Sequence, residues 1–238
     1  MPAPSGGTQR MNPPSQHPAW TILLTKGWLS RQPAWFQDEV VARATFETFE
    51  PDEAIYRIGG PPGGIYGLVS GTLKVSTAPP HSAPRFIQFG IQGAWAGEGP
   101  YLTGEPRRAE LRAIGRCTLM HLPLDAMNRI TERNADAIRC FAAITVSHFD
   151  VLARIIDDLL LPRADQRIAS VLQRTGWLDP ATVPISQAEL GAMANASRKQ
   201  VNAAIAHFAS KGWIRHSYRS IEVLDGDSLL SFALKDDR

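Results

Sequence analysis

The residues best suited to chemistry lie between 186 and 213, in SQAELGAMANASRKQVNAAIAHFASKGW. Arg198 and Lys199 follow Ser197 directly, with Gln200 and Asn202 just beyond. Arg and amide side chains can form paired hydrogen bonds with base edges, and Lys and Arg neutralise phosphates. Residues 186–219 hold five basic side chains (Arg198, Lys199, Lys211, Arg215 and Arg219) against Glu189 alone, leaving +4 there and −2 elsewhere in a chain of net +2. A basic module on a near-neutral protein is the electrostatic footprint of a nucleic-acid-binding surface.

Those side chains need elements to hold them. Ser186 with Glu189, and Ser197 with Gln200, each spell a capping box, in which hydroxyl and N3 side chain satisfy each other's amides. Two helix starts eleven residues apart leave room for a short helix, a tight turn and a second helix, the spacing of a helix-turn-helix. The second helix is predicted from about Arg198 to Ser210, stopped by Gly212. Val201, Ile205 and Phe208 form its core stripe; Lys199, Asn202, Ala203 and Ala206 fall opposite. Beyond it, Trp213 to Arg215 and Ile221 to Val223 read as strands around a polar turn from His216 to Ser220. This predicts a wing with Arg215, His216 and Arg219 near the sugar-phosphate backbone.

The 238 residues suffice for one or two domains with real cores, and the 44% apolar content is globular. No run of about 18 apolar residues predicts a membrane span. Residues 1–18, rich in Pro, Gly and Ser and without a hydrophobic h-region, read as a disordered tail rather than a secretory signal. A cytoplasmic location is expected. Cys117 falls in a strand-like run and Cys140 in a helical one; two thiols suggest buried free cysteines in a reducing compartment, and cannot alone complete a four-thiolate cluster site.

Upstream, residues 20 to about 50 hold a short helical entry, including Trp20, Leu23, Leu24 and Trp28. Residues 53–122 follow with short runs punctuated by Gly and Pro (AIYRI, GIYGLVSG, TLKVS, RFIQFG, ELRAI, CTLMHL), predicting a small barrel or roll. Residues 134–161 predict one long helix, ended by Pro162. It carries two stripes: Ile138, Phe141, Thr145, His148, Leu152, Ile155 and Leu159 at alternating three and four spacing, and Val146, Phe149, Ile156 and Leu160 beside them. One stripe can pack on the roll; the other needs a partner, most simply a second copy. Phe141, His148, Leu152, Ile155 and Leu159 are the expected dimer contacts.

A roll, a long helix and a winged helix-turn-helix resemble the Crp/Fnr superfamily of bacterial transcription regulators. ISQAELGAMANASRKQVNAAIAHFASKGWI is similar to the family pattern I-x-x-x-E-(I/L)-G, S-R-x-x-V, G-x-I; RIASVLQRTG and IYGLVSGTLKVS also fit. The resemblance implies an α+β chain: a tail (1–18), a double-stranded β-helix or jelly roll of the cyclic-nucleotide-binding type (19–133), a dimerisation helix (134–161) and a winged helix-turn-helix (162–238). It implies double-stranded DNA, a second copy of the chain and RNA polymerase as partners, without a membrane. In members that bind cyclic AMP, a cassette runs G-E-x-x and then R-S-A. Gly97, Glu98, Arg107 and Ala109 match it, while Arg108 replaces the Ser and the insert is one residue short. The implied effector pocket is therefore Gly97, Glu98, Arg107 and Arg108, for a cyclic nucleotide or another small anion. Counting back from Arg167 puts the adenine-contacting helix positions at Leu152 and Ala153, which have no side-chain hydroxyl. Lys199 stands where cyclic-AMP-type members carry Glu.

A ligand-sensing or interaction protein with a vestigial DNA-binding module is the alternative. An enzyme on a cupin-like roll is disfavoured: His81 and His121 are far apart, with no H-x-H, H-E-x-x-H, G-x-S-x-G or phosphate loop. PPGG at 61–64 is turn chemistry. No catalytic set, metal site or resident cofactor is expected.

Overall fold

The computed structural model describes residues 18–78, 82–175, 182–217 and 220–235. The proposed tail, but for Pro18, and also Arg219 and His81, lie outside the described residues. The chain divides into two compact units, residues 1–85 with 89–148, and residues 149–238 with 86–88.

In the first unit, helices α1 (Pro18–Thr25) and α2 (Ala34–Arg43) flank a short 3-10 turn, Leu29–Arg31. Strands follow: β1 (Thr45–Phe49), β2 (Ala54–Tyr56), β3 (Ile65–Ser70), β4 (Leu73–Thr77), β5 (Arg85–Gly90) and β6 (Trp95–Ala96). Helix α3 (Gly99–Thr103) precedes β7 (Ala109–Ala113) and β8 (Cys117–Leu122). The strands form two four-stranded sheets, ordered β1-β8-β3-β6 and β2-β7-β4-β5. Each sheet takes alternate pairs along the chain, which is the winding of a double-stranded β-helix. Alternation explains the faces: β8 buries Leu119 between the sheets, while Met120 and Leu122 join the cluster that includes α1 and α2.

Two further helices follow, α4 (Leu124–Arg133) and α5 (Ala137–Leu160). The break between them is at Asn134, whose side chain accepts from the Asp136 amide at 3.0 Å. The expected 134–161 helix is therefore Ala137–Leu160. Phe141 and Ile144 on α5 are buried with Trp28, Phe36 and Met127. Phe141 meets Phe36 edge-on at 5.1 Å and Tyr101 at 5.2 Å.

This removes Phe141 from the expected subunit seam. Phe141 is fully buried within its own chain and is not available to a partner. The roll's aromatic floor takes the 141–144–148 face, because Phe141 is the one bulky ring on that stripe and fills the space among Trp28, Phe36 and Tyr101. The neighbouring stripe is left outside: Val146 is 61%, Phe149 68%, Ile156 60% and Leu160 75% exposed. Leu152 and Leu159 are also exposed, and Ile155 half-buried.

The second unit contains the C-terminal half of α5, then α6 (Ala164–Thr175), β9 (Thr182–Val183), α7 (Gln187–Met193), α8 (Arg198–Ser210), β10 (Ile214–Ser217), β11 (Ser220–Val223) and α9 (Gly226–Ala233). Strands β10, β11 and β9 make a small antiparallel sheet. A buried polar knot ties α5 to α6: Asp158 accepts from Ser170 at 2.5 Å and lies 3.2 Å from Arg174. No described helix is long and apolar enough to cross a membrane.

Candidate nucleic-acid interface and small-molecule site

Both capping boxes form. Ser186 accepts from the Glu189 amide at 3.2 Å, and Glu189 accepts from the Ser186 amide at 3.0 Å. Ser197 and Gln200 repeat the pattern at 3.4 and 2.9 Å. Helix α8 spans the expected residues, with Val201, Ile205 and Phe208 buried and Lys199, Asn202, Ala203 and Ala206 exposed. Its end is a Schellman motif: Gly212, at φ +73°, donates to Ala209, and Trp213 donates to Phe208. The accompanying apolar contact is a ring stack of Phe208 on Trp213 at 5.8 Å.

The turn between α7 and α8 is tight. Asn195 adopts φ +45°, and the Ala196 amide returns to the Gly191 carbonyl at 2.8 Å. A Cβ on Gly191 would stand 2.8 Å from the Ala196 oxygen and 3.3 Å from Val201. Arg167, which carried no role in the sequence pattern, holds this turn. Its guanidinium donates to the carbonyls of Ala194 (2.8 Å) and Asn195 (3.1 Å) in that turn, and to Leu161 (2.8 Å) and Pro162 (3.2 Å) just past α5.

The basic residues are distributed around this frame. Ser197, Arg198, Lys199, Gln200 and Asn202 lie exposed on the first turns of α8, and Lys211 caps its far end. Arg198 borders a cleft of about 300 Å³ with Gln187, Ala188, Gly191 and Ala196. Arg215, on β10, faces Glu222 across the hairpin and donates to it at 2.6 Å. Its charge is thus partly spent within the wing, a partner outside the 186–219 window. His216 lies in β10 rather than in the turn.

The roll carries the second constellation. Gly97 and Glu98 lead into α3, and Arg107 precedes β7. Arg107 is buried, donating to the carbonyls of Gly97 and Gly64, both at 3.0 Å. Its guanidinium lies over the Tyr56 ring, and Nε has no hydrogen-bond partner. Burial pushes the Tyr56 hydroxyl well above its ordinary range despite the nearby Arg107 charge. No described carboxylate forms an ion pair with this buried cation.

Glu98 is buried too, but engaged. Its Oε1 accepts from the Thr145 hydroxyl at 3.0 Å and lies 3.1 Å from His148 Nδ1. Burial pushes its carboxyl up, yet the hydrogen bond and charge of His148 outweigh that and hold it below the usual carboxylate range. Arg108, expected in the effector pocket, is exposed, and its side chain pairs with Glu105 three residues back. The α5 residues that contact Glu98 are Thr145 and His148, read from sequence as seam residues. The missed signal was a pair of polar residues three apart on one helix face.

Cys117 and Cys140 are free and buried, and burial pushes both thiols up, away from reactive thiolates. Among the described residues no His, Cys, Asp and Glu cluster suits a metal ion.

Residues 46–134 match the model of cyclic nucleotide-binding domains, and residues 166–232 that of Crp-like helix-turn-helix domains. A CRP-like cAMP-activated global transcriptional regulator of Mycobacterium tuberculosis is 24% identical over 218 residues, covering 81% of this chain and 97% of that protein. In fold the chain is similar to FixK2 of Bradyrhizobium japonicum, at TM-score 0.65 and 18% identity over 79% of this chain and 96% of that one. It is also similar to the c-di-GMP responsive regulator CLP of Xanthomonas campestris, at TM-score 0.63 and 18% identity over 80% and 99%. With a cyclic nucleotide-binding domain followed by a Crp-like DNA-binding helix-turn-helix, the chain belongs to the Crp/Fnr family of transcription regulators.

Proposed function

We propose that the protein is a homodimeric, sequence-specific regulator that binds a pseudo-palindromic operator in the cytoplasm and acts on RNA polymerase there. The observation that carries this reading is the first turn of α8. It is capped by Ser197 and Gln200, and it presents Arg198 and Lys199 to solvent without an ion pair to any described residue. In such motifs the N-terminal residues of the second helix reach base edges. The exposed stripe Val146, Phe149, Ile156 and Leu160 supports pairing of two copies through α5.

The effector reading follows from the roll. Cyclic AMP activates the Mycobacterium tuberculosis relative by its name, but this chain departs from that chemistry. Arg108 points out, and Glu98, the group that would take a ribose hydroxyl, is engaged by Thr145 and His148. We therefore place cyclic AMP outside its physiological ligands and read operator binding as ligand-independent.

Selection of binding sequences from random DNA tests the first part. A two-fold symmetric motif with half-site centres about 10 base pairs apart is expected. The absence of any enriched symmetric motif, together with no mobility shift at low salt, would defeat it. Calorimetry with cyclic AMP and cyclic GMP tests the second; micromolar binding that also tightens operator affinity would overturn it.

A further inference from the structure

His148 is placed between two acceptors. Its Nδ1 lies 3.1 Å from Glu98 Oε1, and its Nε2 lies 3.1 Å from the carbonyl oxygen of Trp95. A neutral imidazole has one N–H and leaves the other nitrogen as an acceptor. Against a carboxylate on one side and a backbone carbonyl on the other, only the imidazolium satisfies both contacts. The neutral ring would lose one bond and set a lone pair against an oxygen.

We propose that His148 is a pH-responsive fastener: as an imidazolium it ties α5 to the roll through Glu98 and Trp95, and its deprotonation loosens that segment of the helix. The attachment matters because α5 continues unbroken to Leu160, carrying the stripe proposed to pair two copies.

The groups facing the ring are few. Glu98, just before α3, is the charged one; Trp95 on β6 offers a carbonyl, and Thr145 shares Glu98 Oε1. One turn away on α5, Ile144, Val151 and Leu152 carry no charge. Behind Glu98 stand Arg107, bonded to the adjacent Gly97 carbonyl, and Tyr56. Burial alone would lower the His148 pKa, but the hydrogen bond and charge of Glu98 raise it above the ordinary value. The sign follows from linkage. A raised histidine pKa gives a contribution complete below its unfolded value, near 6.5, and lost as pH rises through the folded value. Glu98, lowered, loses its part only in acid, below the ordinary glutamate range. The fastener is therefore complete in mildly acidic solution and fails on the alkaline side.

Imidazole NMR and hydrogen exchange on the 238-residue chain, from about pH 5.5 to 9, test this. His148 is expected to titrate above the ordinary histidine value. Amides of residues 141–148 should open more readily as pH rises from about 6.5 towards that pKa, by up to about tenfold per unit, and level off above it, beyond the intrinsic base catalysis of exchange. Glu98→Gln, close in shape, and His148→Phe should each abolish that extra dependence; if the Phe variant fails to fold, the Gln variant decides. Titration at or below the ordinary value, or the same extra dependence in a folded variant, would overturn the proposal. Its effect on the operator rests on the proposed function: affinity should fall from pH 6 to 8.5 in the wild type and stay level in Glu98→Gln. A protein that binds no DNA at any pH defeats the functional reading, while exchange still decides the fastener.

Discussion

The central carbon of the Arg107 guanidinium lies 4.2 Å from the centre of the Tyr56 ring. Together with two donated hydrogen bonds, that contact makes a buried cation a structural member of the roll. The Gly97 and Gly64 carbonyls it serves belong to two separate loops. Arg107→Leu should therefore destabilise the roll even without any ligand, by about 1–3 kcal/mol for buried acceptors left unmet. Urea unfolding checks this; an unchanged midpoint would show that water replaces the guanidinium freely.

Pairing of two copies should depend on the outer stripe of α5. Phe149→Asp with Ile156→Asp places charges on the two positions most central to it and should yield monomers in light scattering at micromolar concentration. Phe141→Ala should act differently. It removes a fully buried ring, costing about 3–5 kcal/mol of stability, and should leave the folded fraction dimeric.

On the operator, Arg198→Ala should cost about 1–3 kcal/mol and relax specificity at one position. Lys211→Ala should weaken all sequences alike and flatten the log–log salt slope by about 1. Arg215→Ala should flatten it less, because Glu222 already neutralises part of that charge. Equal slopes for Lys211→Ala and Arg215→Ala would show that the wing pair opens on DNA.

The knot between α5 and α6 gives a stability test remote from any ligand. Asp158→Ala leaves the Arg174 guanidinium buried beside an empty site, and should cost about 3–5 kcal/mol in thermal or urea unfolding. Replacing both by apolar residues should restore much of that loss. A single variant as stable as the wild type would show that Arg174 finds water instead.

Legibility followed the range of the interactions. Helix α8 was read to the residue because its start and stop are local chemistry, Ser197 with Gln200 and then Gly212. Strand β1 escaped: both Phe46 and the adjacent Glu47 are buried, so its burial does not alternate. The Glu47 carboxyl meets His121 Nδ1 on β8, 74 positions away, at 3.0 Å. The two-residue β6 and five-residue α3 are too short to show a period. The stripes of α5 were both visible, but periodicity assigns no inner face; the fit of Phe141 against Trp28, Phe36 and Tyr101 does. The engagement of Glu98 by Thr145 and His148 likewise depends on how a helix lies on a sheet.

The crowding at Gly191 has an evolutionary consequence. With no room for a Cβ against Ala196 and Val201, and with Arg167 tethering the turn, the angle between α7 and α8 is closed to gradual change. Lys199, Asn202, Ala203 and Ala206 meet no such limit, since they face solvent. Descendants of this sequence can acquire a new binding vocabulary by exchanging those side chains alone, while the grammar of docking passes on intact.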